Sequence, residues 1–120
     1  MEEIGIESAL LRDVLAGKKT IEARLGTPRF LKIKVGDRVS LREDTYEHGE
    51  LKSSKANAAA ITITQKLYFE SFAEMLETID YTAVVPEATT PNDALDVYEQ
   101  HYSAEDEAEH GVVAFVFELA

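Results

Sequence analysis

The sequence predicts an α+β fold in which a small, mostly antiparallel β-sheet or barrel is flanked by about four short helices. Helix-like and strand-like patterns alternate irregularly, without the regular strand-helix-strand repeat typical of a parallel sheet. With 120 residues, of which 45% are hydrophobic and 29% charged, the chain has the composition of a globular protein. Its length gives room for one hydrophobic core, so we expect a single domain over residues 1–120.

The first predicted elements are a short helix and a strand. Residues 8–16 carry an apolar stripe at helical spacing, formed by Leu10, Leu11, Val14 and Leu15. Gly17 can end this helix as a left-handed C-cap. Residues 19–24 alternate polar and apolar side chains, which predicts a strand. Its two faces carry Thr20, Glu22 and Arg24 on one side, and Ile21 and Ala23 towards the core.

Two further strands are expected in the middle of the chain. Gly26-Thr27-Pro28 ends the previous strand, and Gly36-Asp37 forms a turn before a short strand at residues 39–42. Residues 43–55 are mostly polar and predict a hairpin or loop. The Ile- and Thr-rich alternation at residues 58–67 predicts a second well-formed strand.

The second half predicts two helices and a final strand. Ser71 and Glu74 form a capping box, and the helix behind it buries Phe72, Met75, Leu76 and Ile79. Thr90-Pro91 opens another helix, whose inner face consists of Leu95, Tyr98 and Tyr102. Residues 104–109 predict a short acidic turn. Residues 112–117 are apolar at every position, which predicts a central strand covered on both faces.

The residue types present disfavour several classes of site. The sequence contains no cysteine, so it can form neither a disulfide nor a thiolate site. The histidines are scattered, and none has a second histidine at ligand spacing. We therefore expect no metal ion and no cofactor. The acidic N-terminus and the lack of a long apolar run predict a cytoplasmic protein that does not enter membranes, and we expect a monomer.

Charge is unevenly distributed along this acidic chain. The formal net charge is −11, yet all twelve bases lie between Arg12 and Lys66, and residues 67–120 carry thirteen acids and no base. Two interpretations are open. The acidic half either keeps the protein soluble, for example in a salty cytoplasm, or frames a basic cleft and repels non-specific polyanions. The same acidic half also suggests a protein-interaction module with a basic protein as partner.

One segment of the basic half carries a recognisable pattern, Gly17-Lys18-Lys19-Thr20-Ile21-Glu22-Ala23-Arg24. The spacing Gly-x-Lys-x-x-Glu-x-Arg, between a helix and a strand, resembles the signature of ASCH domains, the activating-signal-cointegrator homology group of the PUA-like superfamily. Further blocks are similar to compact stand-alone members in the same order, at residues 34–39, 68–76, 97–103 and 111–114. The resemblance covers nearly the whole chain.

This resemblance implies a PUA-like fold, a small mixed or antiparallel β-barrel flanked by helices, with a cleft in which the signature residues meet RNA or a modified nucleoside. Arg24 offers planar donors for phosphate or a base edge, and Lys19 offers a cation that burial can turn into a reactive amine. Glu22 can accept from an exocyclic amino group, activate a water, or hold the two cations in place. The alternative to a role in ligand binding is a purely structural one, in which Glu22 and Arg24 form a salt bridge.

The resemblance also implies hydrolase alternatives. One branch of the family removes the acetyl group of N4-acetylcytidine with a lysine, a threonine and a glutamate. Lys19 matches its lysine, but Glu22 stands where that branch has its threonine. Another branch has been linked to ribonuclease activity, in which Lys19 and Arg24 would stabilise a pentacoordinate phosphate. Thr20 is a candidate nucleophile only if a base activates it.

The candidate site residues therefore form two overlapping sets. The catalytic candidates are Lys19 and Glu22, and the ligand-binding candidates are Lys19, Thr20, Glu22, Arg24 and Tyr98. Tyr98 and Tyr102 could stack on a base, although helical spacing more often places such a pair in the core. We predict a domain that binds RNA or a nucleotide-like small molecule in a basic cleft, with a metal-independent hydrolase acting on RNA or a modified nucleoside as an alternative.

Overall fold

A computed structural model of the protein describes residues 2–120, which form five strands and six helices. The strands are β1 (Glu2–Glu7), β2 (Ile21–Leu25), β3 (Arg38–Glu47), β4 (Glu50–Phe69) and β5 (Val112–Leu119). The helices are α1 (Ser8–Leu15), α2 (Pro28–Leu31), α3 (Phe72–Thr78), α4 (Tyr81–Val84), α5 (Pro91–Glu99) and α6 (Ala104–His110).

The five strands form one mixed sheet in the order β1-β3-β4-β5-β2, curled into a half-barrel. β1 pairs in parallel with β3, while the other three pairs are antiparallel. β1 and β2 are therefore the two opposite edges of the sheet, although they are neighbours in the sequence, separated only by α1 and a short loop. The predicted α+β class and the small, mixed, barrel-like sheet are confirmed.

The apolar side chains form two clusters, one on each side of β5. Val113, Phe115 and Phe117 belong to a cluster with β1, β3, β4 and α1. Val112 and Ala114 belong to a second cluster, which β5 shares with β2 and with helices α3, α4 and α5. The prediction that residues 112–117 are covered on both faces is thus confirmed, because consecutive side chains of a strand point to opposite faces.

Several elements differ from the sequence-based prediction. β1 was missed, although Ile4 and Ile6 alternate with Glu3, Gly5 and Glu7 and are both buried. α2 and α4 were missed because each is a single turn, too short to show helical periodicity. The predicted acidic turn is α6, which begins at a capping box formed by Ser103 and Asp106. The described residues therefore contain six helices rather than about four.

The polar segment at residues 43–55 is a hairpin, in which β3 and β4 continue as a two-stranded arm. Glu47 pairs with Glu50 at its end, and His48 and Gly49 between them both have positive φ, 55° and 78°. Two positive φ values give the turn the twist that hairpin strands need. The arm therefore projects as ordered, paired strands beyond the rest of the sheet.

Candidate functional site

A cleft of about 640 Å³ opens where the two edges of the curled sheet approach each other. Its walls come from β1, β2, the hairpin arm, and α4 and α5 with the residues that follow α5. Lys19, Glu22 and Arg24 all line it. The three signature residues that the sequence singled out therefore lie together in one cleft.

Lys19 lies deep in the cleft, with only 2% of its surface exposed. Gly17 ends α1 at a φ of 77°, and the backbone N–H groups of Lys18 and Lys19 donate to the Asp13 carbonyl, which turns the chain into β2. The Lys19 Nζ donates to the carbonyls of Ile21 (2.7 Å) and Val84 (2.6 Å). Burial lowers the pKa of Lys19, against the opposing attraction of nearby carboxylates.

Glu22 is 7% exposed and lies between two cations. Its Oε1 accepts from Arg24 Nε at 3.2 Å, and its Oε2 is 3.8 Å from Lys19 Nζ. Burial alone would raise the pKa of Glu22, but Lys19 and Arg24 favour the charged form and the net result is a lowered pKa. Glu22 is therefore an ionised hydrogen-bond acceptor in the wall of the cleft.

Arg24 links the two edges of the sheet. Besides its bond to Glu22, it donates from Nη2 to the Gly5 carbonyl of β1 at 2.6 Å. Its guanidinium carbon lies 5.7 Å from the centre of the Phe30 ring of α2. The salt bridge between Glu22 and Arg24 that the sequence offered as the structural alternative is therefore present, and both residues also line the cleft.

The cleft is not basic, so that prediction is wrong. Among residues 2–120, the lining has two cations, Lys19 and Arg24, and three carboxylates, Glu7, Glu22 and Asp44. Lys19 and Arg24 both donate to backbone carbonyls and pair with Glu22, so much of their donor capacity is already used within the protein. The cleft therefore presents little free positive charge to a phosphate group.

Comparison with known proteins identifies the family. A family model of the ASCH domain matches residues 4–120.

The chain belongs to the ASCH domain family.

Two solved structures are similar to this ASCH domain over almost its full length. A crystal structure of hypothetical protein PH0355 is 30% identical, with a TM-score of 0.83 and 100% of each chain covered. A solution NMR structure of protein PF0455 from Pyrococcus furiosus is 28% identical, with a TM-score of 0.74, and the match covers 98% of this chain and 96% of that one. No curated protein matches the chain. The family as a whole is generally associated with RNA binding.

Two other predicted ligand-binding residues of this ASCH domain have different surroundings. Thr20 is exposed, precedes the first residue of β2 and does not line the cleft, so its placement on the binding face was wrong. Tyr98 lines the cleft but is buried, and its ring stacks on Phe72 with centroids 4.3 Å apart. Tyr102 stacks on Phe72 at 5.2 Å. Both tyrosines thus belong to an aromatic stack at the edge of the second cluster, and burial raises the pKa of each.

Sequence reasoning missed the residues that the distant walls contribute. Tyr46 and Gly49 come from the hairpin arm, and His101 follows α5. Gly5 also lines the cleft, and a Cβ there would lie 2.2 Å from Arg42 Nη2 and 2.5 Å from Asp44 Oδ2. Only the folded chain brings these residues close to Lys19, Glu22 and Arg24. For Gly5, the one signal in the sequence was its position between Ile4 and Ile6.

The described residues contain neither a group of side chains that could hold a metal ion nor a membrane-spanning helix. Within residues 2–120, no three His, Cys, Asp or Glu side chains are grouped so that they could hold a metal ion. None of the helices described is both long and apolar enough to cross a membrane.

Proposed function

We propose that this ASCH domain binds RNA by taking one unstacked base, or a nucleoside-like small molecule, into the cleft. The observation that carries the proposal is Glu22, a buried carboxylate that its two cations keep ionised at the cleft wall. A carboxylate has about four acceptor positions, so Glu22 can still accept hydrogen bonds from a ligand. Amino groups on base edges, such as N4 of cytosine, donate to carboxylates.

The aromatic lining and the charge of the cleft support a base rather than a phosphate as the bound group. Tyr46 from the arm, and His101 and Tyr102, which follow α5, line the cleft. Side chains of these types stack on the unstacked bases of single-stranded RNA. A phosphate would meet more carboxylates than cations there, whereas an uncharged base would not be repelled.

Glu22→Gln tests the proposal. This change keeps an acceptor but removes the charge, so we expect the Kd for cytidine and for a labelled single-stranded RNA to rise about tenfold, the loss of a charge-assisted hydrogen bond. Glu118→Gln is the matched control, because Glu118 is exposed on β5 and does not line the cleft. Unchanged affinity in Glu22→Gln would contradict the proposal.

A second variant separates binding from folding, because Glu22 also pairs with Lys19 and Arg24. Tyr46 is exposed, so Tyr46→Ala removes a ring from the cleft without opening the core. We expect weaker base binding, while Tyr46→Phe binds like the unmodified protein. Equal affinity of all three proteins for both ligands would argue against a base in this cleft.

A hydrolase at the same site is the second candidate, and the buried pair of Lys19 and Glu22 favours it. The cleft lining within residues 2–120 contains no serine or threonine, and the Lys19 Nζ is held by two backbone carbonyls, so the nucleophile would be water. Glu22 would take the proton of the water as it attacks an acyl carbon, and the leaving amine would then accept that proton. Release of cytidine from N4-acetylcytidine, abolished in Glu22→Gln, would support this reaction; an intact substrate would exclude it for that compound.

A further inference from the structure

We infer that a second surface beside the cleft holds the phosphate backbone of the RNA whose base the cleft is proposed to bind. This surface, here called the α2 surface, consists of Arg29, Leu31, Lys32, Lys34, Lys66 and Tyr68. This inference depends on the proposed function only for the identity of the ligand, which is RNA. Its residues lie outside the cleft lining, so the two sites can be altered separately.

The α2 surface concentrates positive charge in an acidic protein. Residues 25–36 contain three cations and no acid, in a chain whose net charge is −11. In the described part of the chain, the side-chain nitrogens of Arg29, Lys34 and Lys66 form no salt bridge within 4.0 Å, although the Lys34 backbone N–H donates to the Asp37 carboxylate at 2.8 Å. Lys32 has a contact with Glu2 at 3.6 Å, but its side chain is 66% exposed. Arg29 and Lys66 also donate to backbone carbonyls, but unlike Lys19 and Arg24 none of these four cations pairs with a buried carboxylate of the described chain, so they can release counterions when they meet phosphates.

An exposed aromatic ring lies beside one of these cations, Lys66. Tyr68 is 62% exposed on β4, and the Lys66 Nζ lies 5.5 Å from the centre of its ring. Lys66 also donates to the Leu31 carbonyl at 2.5 Å, which fixes the lysine between α2 and β4. Single-stranded nucleic acids are held by cations that follow the backbone together with aromatic rings on which bases stack. The α2 surface has both features.

Phe30 connects the α2 surface to the cleft. The Arg29 guanidinium carbon lies 5.0 Å from the centre of the Phe30 ring, and that of Arg24 lies 5.7 Å from the same centre. Arg29 donates to the Glu3 carbonyl and Arg24 to the Gly5 carbonyl, so both arginines are anchored along β1. A strand with one base in the cleft would therefore reach the cations of α2 by passing Arg24.

This arrangement accounts for the uneven charge of the molecule. The cleft has more carboxylates than cations, which suits a base, while the phosphates would meet the cations on the neighbouring surface. The acidic segment at residues 67–120, which contains helices α3 to α6, would repel polyanions from the rest of the molecule.

Salt titrations with paired lysine variants test the inference. Lys32→Ala/Lys34→Ala removes two exposed cations from the α2 surface, and Lys52→Ala/Lys55→Ala removes two exposed cations from the hairpin arm as the charge-matched control. The readout is the Kd for a labelled single-stranded RNA at several salt concentrations. We expect the slope of log Kd against log salt to fall by about 1.4 for the first variant, about 0.7 for each lost contact, and little change for the control.

Variants of Tyr68 provide an independent test of the same inference. Tyr68→Ala should weaken RNA binding about tenfold, while Tyr68→Phe, which keeps the ring, should bind like the unmodified protein. Neither variant should change the Kd for cytidine, because Tyr68 does not line the cleft.

The outcomes distinguish this surface from the cleft. An unchanged salt slope in Lys32→Ala/Lys34→Ala, or an equal fall in the control, would overturn the α2 surface even if Glu22→Gln still weakened binding. A reduced slope with normal binding by Glu22→Gln would support the α2 surface and leave the cleft without a role. RNA affinity that none of these variants changes would overturn both proposals.

Discussion

Glu22 illustrates how a buried charge can be stabilised by its immediate partners. The free energy of removing a carboxylate from water is offset by Arg24 Nε at 3.2 Å and Lys19 Nζ at 3.8 Å. The two cations have further partners of their own in the carbonyls of Ile21, Val84 and Gly5. Removing one member therefore leaves the others buried with unmatched charge.

The lowered pKa of Glu22 predicts a dependence of stability on pH. The unfolded chain starts to bind a proton at this carboxyl near its ordinary pKa of 4.5, before the folded chain does. The contribution of Glu22 to the free energy of unfolding is therefore complete above that pH and is lost as the pH falls through the folded pKa. Urea unfolding of Glu22→Gln should show about 3 kcal/mol lower stability than the unmodified protein at pH 7, and a smaller difference at pH 3. An equal difference at both pH values would contradict the lowered pKa.

Gly5 leaves room for the side chain of Arg42, its partner on the neighbouring strand. Gly5 and Arg42 are paired in the β1–β3 register, and a Cβ on Gly5 would lie 2.2 Å from Arg42 Nη2. Arg42 would have to leave Asp44, to which it donates at 2.7 and 2.8 Å. We expect Gly5→Ala to cost about 2 kcal/mol, the usual size of an overpacking effect, as measured by urea unfolding.

A double-mutant cycle supplies the control for Gly5. In an Arg42→Ala background the guanidinium is absent, so Gly5→Ala should cost measurably less there than in the unmodified protein. Full additivity of the two changes would show that Arg42 is not the cause.

At the scale of elements, the sequence predicted segments that carry their own local signal. Residues 8–16, the Ser71 capping box and the apolar run at residues 112–117 all formed the structures that their periodicity indicates. β1 was missed because its alternation is short, with only Ile4 and Ile6 on either side of a glycine, and α2 because one turn shows no period. The sequence likewise found Lys19, Glu22 and Arg24, which one strand and its preceding loop bring together, but not Tyr46 or His101, which only the folded chain brings near them.

The stability of the hairpin arm can be tested separately from that of the rest of the sheet. Gly49 has a φ of 78°, and a Cβ there would meet no atom within 4 Å, so Gly49→Ala strains only the backbone, by about 1 kcal/mol. We expect faster amide exchange in the arm and unchanged exchange in the buried part of β4, because the end of the arm makes few core contacts. Faster exchange throughout the sheet would show instead that the arm and the sheet unfold together.

At the scale of the whole molecule, the sheet is a half-barrel whose two edges meet through side chains. β1 and β2 are not paired with each other, and Arg24 bridges them by donating to the Gly5 carbonyl. Arg29 of α2 donates to the Glu3 carbonyl of the same strand. These arginines occupy backbone acceptors that an edge strand would otherwise leave open to another chain, and the gap between the edges is where the cleft lies.

The net charge of −11 predicts that added salt stabilises the fold. Thirteen acids and no base lie in residues 67–120, so like charges repel one another across α3 to α6, and salt screens that repulsion.

Glu99 tests this repulsion locally, because it is an exposed acid at the end of α5. The last turn of α5 has no base, and the helix dipole disfavours negative charge there. Glu99→Gln should raise the free energy of unfolding by about 0.5 kcal/mol at low salt, and the gain should disappear at about 1 M salt, where the Debye length is about 3 Å. A gain that persists at high salt would have to come from local packing instead. If the thermal midpoint of the unmodified protein fell with added salt, the ion pairs around Glu22 and Arg42 would outweigh the repulsion among the acidic helices.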